Sequence, residues 1–232
     1  MAKREHKDNK AHPVSLITLF NPSSPVSEQY RTIRTNIQFA SSVDNRMQTF
    51  VVTSSGPGEG KSTTAANLAV VFATSGQRVL LVDADMRKPT VYQTFQLGNA
   101  TGLSSVLSTD LSIESAAQET TITNLSVLTS GPKPPNPSEL LGSARMDKVI
   151  EEARKFFDII IFDMPPVVAV TDAQIMASKA DGTLLVVREN VTKKEAVTKA
   201  KDLLQMVNAK VLGVVYNGAE QSKDSGYYYY SN

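Results

Sequence analysis

The sequence lacks cysteine and tryptophan altogether, and its 232 residues include only two histidines, His6 and His12. Without cysteine the chain cannot form disulfides, thiolate metal sites or iron–sulfur clusters. The two histidines lie close to the N-terminus and lack the spacing of a metal-ligand pair. The composition therefore leaves only a metal ion that is held by oxygen ligands.

The sequence also lacks an excess of either charge and any long apolar run. Lysine and arginine total 24 against 23 aspartate and glutamate, so a net charge of +1 gives no electrostatic field that favours nucleic acid. No stretch approaches the roughly 18 apolar residues of a membrane-spanning helix. The N-terminal MAKREHKDNK has no signal-peptide core. We therefore expect a cytoplasmic chain without a nucleic-acid partner, which contacts a membrane only through another protein.

One segment, FVVTSSGPGEGKSTT at residues 50–64, predicts a strand, a glycine-rich loop and a helix in that order. It fits the phosphate-binding pattern G-x-x-x-x-G-K-[ST] except that Ser55 replaces the first glycine. In this pattern backbone N–H groups surround a phosphate chain, Lys61 reaches the β- and γ-phosphates, and the Ser62 hydroxyl binds Mg²⁺. The predicted ATP-binding residues are Gly56, Pro57, Gly58, Glu59, Gly60, Lys61, Ser62 and Thr63.

Acidic residues follow two further apolar runs. Residues 78–82 lead into Asp83-Ala84-Asp85-Met86-Arg87, and residues 157–162 lead into Asp163, the Walker B arrangement in which a carboxylate holds Mg²⁺. Ligands of open α/β sheets bind at the carboxyl ends of the strands. We predict Lys61, Asp83, Asp85 and Asp163 as catalytic residues, and Ser62, Asp83 and Asp163 as metal ligands.

Strand and helix patterns alternate along the chain, which predicts an α/β fold with a mainly parallel sheet and helices on both faces. Further strands are expected at 125–129, 182–187 and 210–216, and a helix at 192–207. Residues 88–123 suggest short helices and turns, and the proline-rich 130–137 a rigid connector. Asn217, at the end of the last strand, is a candidate for the nucleotide base. The expected division is an N-terminal arm at 1–26, mostly irregular, one domain at 27–217 and a flexible tail at 218–232.

A helix is predicted from the N-cap Ser27 to Ala40, with apolar residues at spacings of three and four. It also carries Glu28, Arg31 and Arg34, which residue chemistry alone assigns to a solvated surface. The tail carries the consecutive tyrosines Tyr227, Tyr228, Tyr229 and Tyr230, which we expect to be exposed. An oligomerisation patch, a crystallisable tail and a set of phosphate acceptors remain equally open for them.

Taken together, these segments resemble the bacterial tyrosine kinases that control capsule and exopolysaccharide export. The resemblance rests on PGEGKST at 57–63, LLVDADMRKP at 80–89, SGPKPPNPSELL at 130–141 and IIIFDMPP at 159–166. Glu28, Arg31 and Arg34 fit the family's E-x-x-R-x-x-R element, and Tyr227–Tyr230 fit its C-terminal tyrosine cluster. The fold of the partition and division-site ATPases is similar too, but their signature lysine would stand at Gly56.

The resemblance implies an ATP- and Mg²⁺-dependent kinase that phosphorylates its own tyrosine cluster. It implies a homo-oligomeric ring with the E-x-x-R-x-x-R helix at the subunit interface and the tail of one subunit in its neighbour's site. The chain resembles the split type, which is activated by a membrane adaptor at the inner face of the plasma membrane. A cognate phosphotyrosine phosphatase is an implied partner as well. Asp83 and Asp85 are the candidates for accepting the tyrosine proton.

Two other functions stay open on the sequence. One is a switch ATPase of the partition type, which hydrolyses ATP without tyrosine transfer. The other is an assembly module in which nucleotide is structural and the tail docks a partner.

Overall fold

The computed structural model describes residues 13–40 and 47–219 of the chain. The helices are Ile17–Phe20 (α1), Pro25–Phe39 (α2), Lys61–Thr74 (α3), Val91–Thr94 (α4), Leu103–Ser108 (α5), Ile113–Ala116 (α6), Pro137–Gly142 (α7), Ala144–Phe156 (α8), Asp172–Ala177 (α9) and Lys194–Met206 (α10). The strands are Thr49–Ser54 (β1), Val79–Asp83 (β2), Gln118–Glu119 (β3), Leu125–Leu128 (β4), Ile159–Asp163 (β5), Gly182–Arg188 (β6) and Val211–Asn217 (β7). The tyrosine cluster 227–230 lies outside the described residues.

The strands form one seven-stranded sheet in the order β3-β4-β2-β5-β1-β6-β7. Every neighbouring pair is parallel except β3 and β4, which are antiparallel. The central strands β1, β2 and β5 are buried along their whole length, because helices cover both faces of a parallel sheet and leave no polar side. The predicted α/β fold with a mainly parallel sheet is confirmed.

Each face of the sheet has its own hydrophobic core. On one face, α3 packs its buried side chains, among them Leu68 and Phe72, against β1 and β2. On the other face, α8 contributes Met146, Val149 and Ile150, at helical spacing. The alternation of side chains along each strand supplies both cores from the same central strands.

The N-terminal segment differs from the predicted irregular arm. Residues 17–20 form α1, and Leu16 and Thr18 are buried against α3. The link is the buried Asn67, whose Oδ1 accepts hydrogen bonds from the Thr18 backbone at 3.0 Å and the Thr18 hydroxyl at 2.9 Å. This part of the chain is therefore not irregular, because its apolar residues complete one core.

The start of α2 also corrects the prediction of Ser27 as the N-cap. The cap is Ser24, whose side chain accepts a hydrogen bond from the Ser27 backbone N–H at 3.1 Å. Pro25 occupies the first helical position, where its missing N–H costs nothing. Ser27 is instead a buried residue of the first turn, and its hydroxyl donates to the Asn21 carbonyl at 2.7 Å.

Parallel pairing brings the ends of the strands to a common edge. Asp83 at the end of β2 is in register with Asp163 at the end of β5, and Asp163 is in register with Val52 in β1. The glycine-rich loop that follows β1 therefore leaves the sheet beside both aspartates. Among the described residues, no helix has the length and apolarity needed to cross a membrane.

Candidate active site

The loop 55–60 joins β1 to α3 in a conformation that depends on glycine. Gly60 is the N-cap of α3 with φ +98°, and Gly58 has φ +74°. A Cβ atom at Gly60 would lie 2.1 Å from Nδ2 of Asn217, so no other residue fits without a shift. The N-terminus of α3, with its unsatisfied N–H groups and positive dipole end, therefore opens directly onto the loop.

Ser55, which stands where the pattern has glycine, is held by Glu59. The buried Glu59 carboxylate accepts the Ser55 backbone N–H at 2.9 Å and the Ser55 hydroxyl at 2.8 and 3.0 Å. These hydrogen bonds tie the first residue of the loop to the residue before Gly60. Glu59 was predicted only as a member of the ATP-binding loop, and its geometry shows that it fixes the shape of that loop.

Lys61 lies between two aspartates. Its Nζ is 2.9 Å from Asp85 Oδ2, 3.4 Å from Asp163 Oδ1 and 3.1 Å from the Ser62 hydroxyl. Burial alone lowers the pKa of Lys61, but the charges of Asp163 and Asp85 outweigh burial and raise its pKa above the usual value. The lysine is a permanent positive charge at the start of α3.

Asp83 and Asp163 are fully buried side by side, and each has an oxygen without a partner in the structure. Asp83 Oδ2 accepts the backbone N–H groups of Thr90 and Val91 at 3.1 and 3.0 Å, whereas its Oδ1 accepts none. Asp163 Oδ2 is also unpaired. Burial, and then the nearby Asp163, raise the pKa of Asp83 to about 8, and burial raises the pKa of Asp163.

Two unpaired carboxylate oxygens next to the Ser62 hydroxyl fit a divalent cation. A buried anionic oxygen without a partner is costly, and a cation removes that cost. The described residues contain no cluster of three or more acidic, histidine or cysteine side chains that could enclose a metal. The set suits a cation that takes few protein ligands and completes its shell with phosphate and water.

Arg87 holds the segment after β2 in place. Its guanidinium forms a bidentate pair with Asp172 at 2.9 and 3.0 Å, and the Asp172 carboxylate is fully buried. The backbone N–H of Lys88 donates to Asp85 Oδ1 at 3.0 Å. The sequence reasoning missed Asp172, because the two partners are 85 residues apart and no motif joins them.

Asn217 and Arg188 contact the loop from the β6–β7 side. Asn217 Nδ2 donates to the Glu59 carbonyl at 3.0 Å, and Arg188 Nη1 donates to the Gly58 carbonyl at 3.0 Å. Asn217 is therefore brought to the predicted site. Arg188 was not predicted as a residue of the site. The one feature of the sequence that could have indicated it is its position at the end of a predicted strand of the same sheet.

The charged residues of α2 lie away from the aspartates. Glu28 and Arg31 form an exposed ion pair, and Arg31 Nη2 also donates to the Pro22 carbonyl at 2.6 Å. Arg34 does not share this exposed position. It turns inward and donates to the Val71 carbonyl in the last turn of α3 at 3.1 Å, where a cation also complements the helix dipole.

Comparison with known proteins decides the family. A model described as an AAA domain matches residues 47–212. Over 230 residues the chain is 52% identical to the tyrosine-protein kinase YwqD of Bacillus subtilis (strain 168), which covers 99% of this chain and 96% of that protein. The chain belongs to the bacterial tyrosine-protein kinase family. The predicted family and the predicted enzyme class are thereby confirmed.

Other relatives place the chain within this family and this fold. The tyrosine-protein kinase wzc of Salmonella typhimurium is 36% identical over 93% of this chain but only 30% of its own length. The crystal structure of the chimerical protein CapA2B2 has a TM-score of 0.85 at 42% identity, covering 91% of this chain and 94% of that one. The cell division ATPase MinD of Pyrococcus furiosus has a TM-score of 0.64 at 25% identity, covering 76% and 74%. A nucleotide with a divalent metal is what such a P-loop fold binds.

We expect Asp83→Asn to raise the free energy of unfolding of the metal-free protein, and to raise it more as the pH increases. The pKa of Asp83 is about 8 in the folded chain against 3.8 ordinarily. Folding therefore favours the protonated carboxyl, and its contribution to stability is lost as the pH rises from about 4 through about 8. Urea unfolding of both proteins in EDTA between about pH 5 and pH 8 measures the difference.

Asp202→Asn, which changes an exposed carboxylate on α10, is the matched control. A stability gain for Asp83→Asn that stays constant over this pH range would contradict a protonated, buried carboxyl.

Proposed function

We propose that the protein transfers the γ-phosphoryl group of ATP to hydroxyls of its own tyrosine cluster, Tyr227–Tyr230. The observation that carries the proposal is the grouping of Lys61, Asp85, Asp83 and Asp163 at the carboxyl edge of the sheet, beside a glycine-rich loop. Membership of the tyrosine-protein kinase family supports the choice of tyrosine as the acceptor.

The phosphate chain of ATP binds in the loop 55–60. Backbone N–H groups of Gly56 and of residues 58–63 surround the phosphates, and Lys61 neutralises the β- and γ-phosphates. The Glu59–Ser55 bonds hold the loop in this shape before the nucleotide arrives, so little is lost in ordering it. Asn217 lies on the β7 side of the loop, where it can contact the base.

Mg²⁺ is the cation that we assign to Ser62, Asp83 and Asp163. When bound, it would neutralise the negative charge that develops on the phosphates during transfer. The two unpaired oxygens of the buried carboxylates support this assignment. Three oxygen ligands from the protein suit Mg²⁺, which takes its remaining ligands from phosphate and water.

Asp85 accepts the proton of the attacking tyrosine. A phenol has a pKa near 10 and stays protonated at neutral pH, so the reaction needs a base in contact with it. Asp83 is less suited, because its side chain is fully buried and we assign it to the metal ion. The Asp85 carboxylate lies next to Lys61 and is held by the Lys88 backbone.

The acceptor tail reaches the site of a neighbouring subunit in a ring. Residues 218–226 join the end of β7 to Tyr227 and span at most about 32 Å when extended. The exposed Glu28–Arg31 pair on α2 supplies the subunit interface. Phosphorylation adds roughly two negative charges to each tyrosine, which favours dissociation of the ring.

A membrane adaptor of a capsule or exopolysaccharide export system recruits and activates the protein at the inner face of the plasma membrane. The relative wzc is more than three times as long as the part that this chain matches, whereas YwqD is matched over 96% of its length. The likeness to YwqD supports our proposal of the split type of kinase, whose adaptor is a separate chain. A phosphotyrosine phosphatase removes the phosphates from the tail.

Incubation with ATP and Mg²⁺ should add phosphates to Tyr227–Tyr230 in the wild-type protein and none in Lys61→Met. Methionine keeps the length of the side chain but removes the charge that neutralises the β- and γ-phosphates. Intact-mass and tail-peptide mass spectrometry, with and without the adaptor's cytoplasmic segment, measures the modification. The variant with all four tyrosines changed to phenylalanine is the control for labelling elsewhere.

A tail that stays unmodified in the wild type while phosphate is released from ATP would overturn the proposal. That result favours the switch ATPase, the alternative supported by the likeness to MinD.

Light scattering tests the ring. We expect Glu28→Ala combined with Arg31→Ala to convert the assembled protein to monomers, because both side chains are exposed and supply the interface charges. Arg34 is left intact, since its bond to α3 belongs to the fold. The control is Lys201→Ala with Asp202→Ala on α10. An unchanged mass for the α2 variant would show that Glu28 and Arg31 are solvated surface residues and not part of an interface.

A further inference from the structure

The loops at the carboxyl edge of the sheet follow a fixed order. From one side to the other they are the proline loop after β4, the acidic segment after β2, Asp163 after β5 and the phosphate loop after β1. Arg188 and Asn217 follow on the β6–β7 side. The proline loop, residues 130–136, is not assigned to the nucleotide site. It follows β4, on the side of β2 that faces away from β5 and β1.

In phosphoryl transfer the attacking and leaving oxygens lie roughly in line on opposite sides of the phosphorus. The leaving oxygen belongs to the phosphates held at the end of β1, and the transferred group lies near Asp163 and Asp83. The attacking hydroxyl must therefore approach from the β2 side, away from β1. In that direction β4 is the neighbouring strand, with Leu128 in register with Val82.

The proline loop is built as a rigid surface. Prolines 132, 134 and 135 fix the backbone torsion φ at three of its positions. Ser104 donates to the Pro132 carbonyl at 2.7 Å, and the Gly131 N–H donates to Asn99 at 2.8 Å. Gly102 packs so closely that a Cβ atom there would lie 2.2 Å from the Thr129 carbonyl oxygen.

Two exposed lysines frame this approach. Lys88 lies in the segment that follows β2, and Lys133 lies in the proline loop. Within 13–40 and 47–219, no carboxylate forms an ion pair with either ammonium group. The exposed prolines 132 and 135 lie beside Lys133 and offer apolar surface to an aromatic ring.

We propose that the segments 84–90 and 130–136 form the platform for the peptide that carries the acceptor tyrosine, and that Lys88 and Lys133 select negative charge beside that tyrosine. The inference rests on the proposed tyrosine transfer. The preferred acceptor is a tyrosine flanked by a carboxylate or by a phosphotyrosine. In the tail, Asp224 supplies the first such charge, and a first phosphate adds to it for the next tyrosine, before the charge of the fully phosphorylated cluster favours dissociation of the ring.

The test measures binding, so that it does not depend on turnover. The protein is the full chain with Tyr227–Tyr230 changed to phenylalanine, loaded with Mg²⁺ and ADP. The probes are two fluorescein-labelled peptides of residues 219–232, one unmodified and one phosphorylated at Tyr228, followed by fluorescence anisotropy. We expect tighter binding of the phosphopeptide, and a loss of about 2- to 5-fold in its affinity with Lys133→Glu or Lys88→Glu, the range of an exposed charge pair.

Lys155→Glu is the matched control. This exposed lysine lies in the last turn of α8, next to the amino end of β5 and so at the opposite edge of the sheet. The platform would be overturned if Lys133→Glu and Lys88→Glu bound the phosphopeptide as tightly as the protein without these changes. It would also be overturned if Lys155→Glu lost as much affinity as they do. Selective peptide binding without phosphorylation of the wild-type tail would instead overturn the proposed function and leave the platform standing.

Discussion

The site depends on three carboxylates and one ammonium group that are held together out of water. Lys61 offsets the charges of Asp85 and Asp163, but Asp83 lies beside Asp163 without a cation of its own. Burial raises the pKa of Asp83 to about 8, so at neutral pH the cluster keeps a proton that a metal ion can displace. Two carboxylate oxygens of this arrangement lack a partner, and in the proposed function a cation and phosphate complete it.

Sheet topology explains how one edge can serve two substrates. The parallel strands bring the phosphate loop, three aspartates and the proline loop to the same edge, in an order set by the crossovers. In the proposed reaction, nucleotide phosphates bind on the β1 side, and the acceptor peptide approaches over β2 and β4. The direction of transfer follows from this order, because the nucleophile and the leaving group must lie on opposite sides of the phosphorus.

Much of this could be predicted from the sequence. The glycine-rich loop and the aspartates that follow apolar runs have local signatures, and the alternation of strands and helices fixes the fold class. The hydrogen bonds that hold the loop and the acidic segment in place have no local signature. Arg87 and Asp172 are 85 positions apart, and Arg188 and Gly58 are 130 positions apart. The N-terminal segment was predicted as irregular because its few apolar residues show no period, and it is ordered by Asn67 in α3. The two-residue β3 is too short to give a pattern.

The most direct test of the account is the proton balance when nucleotide and metal bind. Titration calorimetry of Mg²⁺ and ADP binding near neutral pH, repeated in buffers of different ionisation enthalpy, counts the protons exchanged. The account predicts release of roughly one proton, lost in Asp83→Asn, because the cation displaces the proton from the buried carboxyl cluster. A binding heat that does not depend on the buffer, in both proteins, would contradict it.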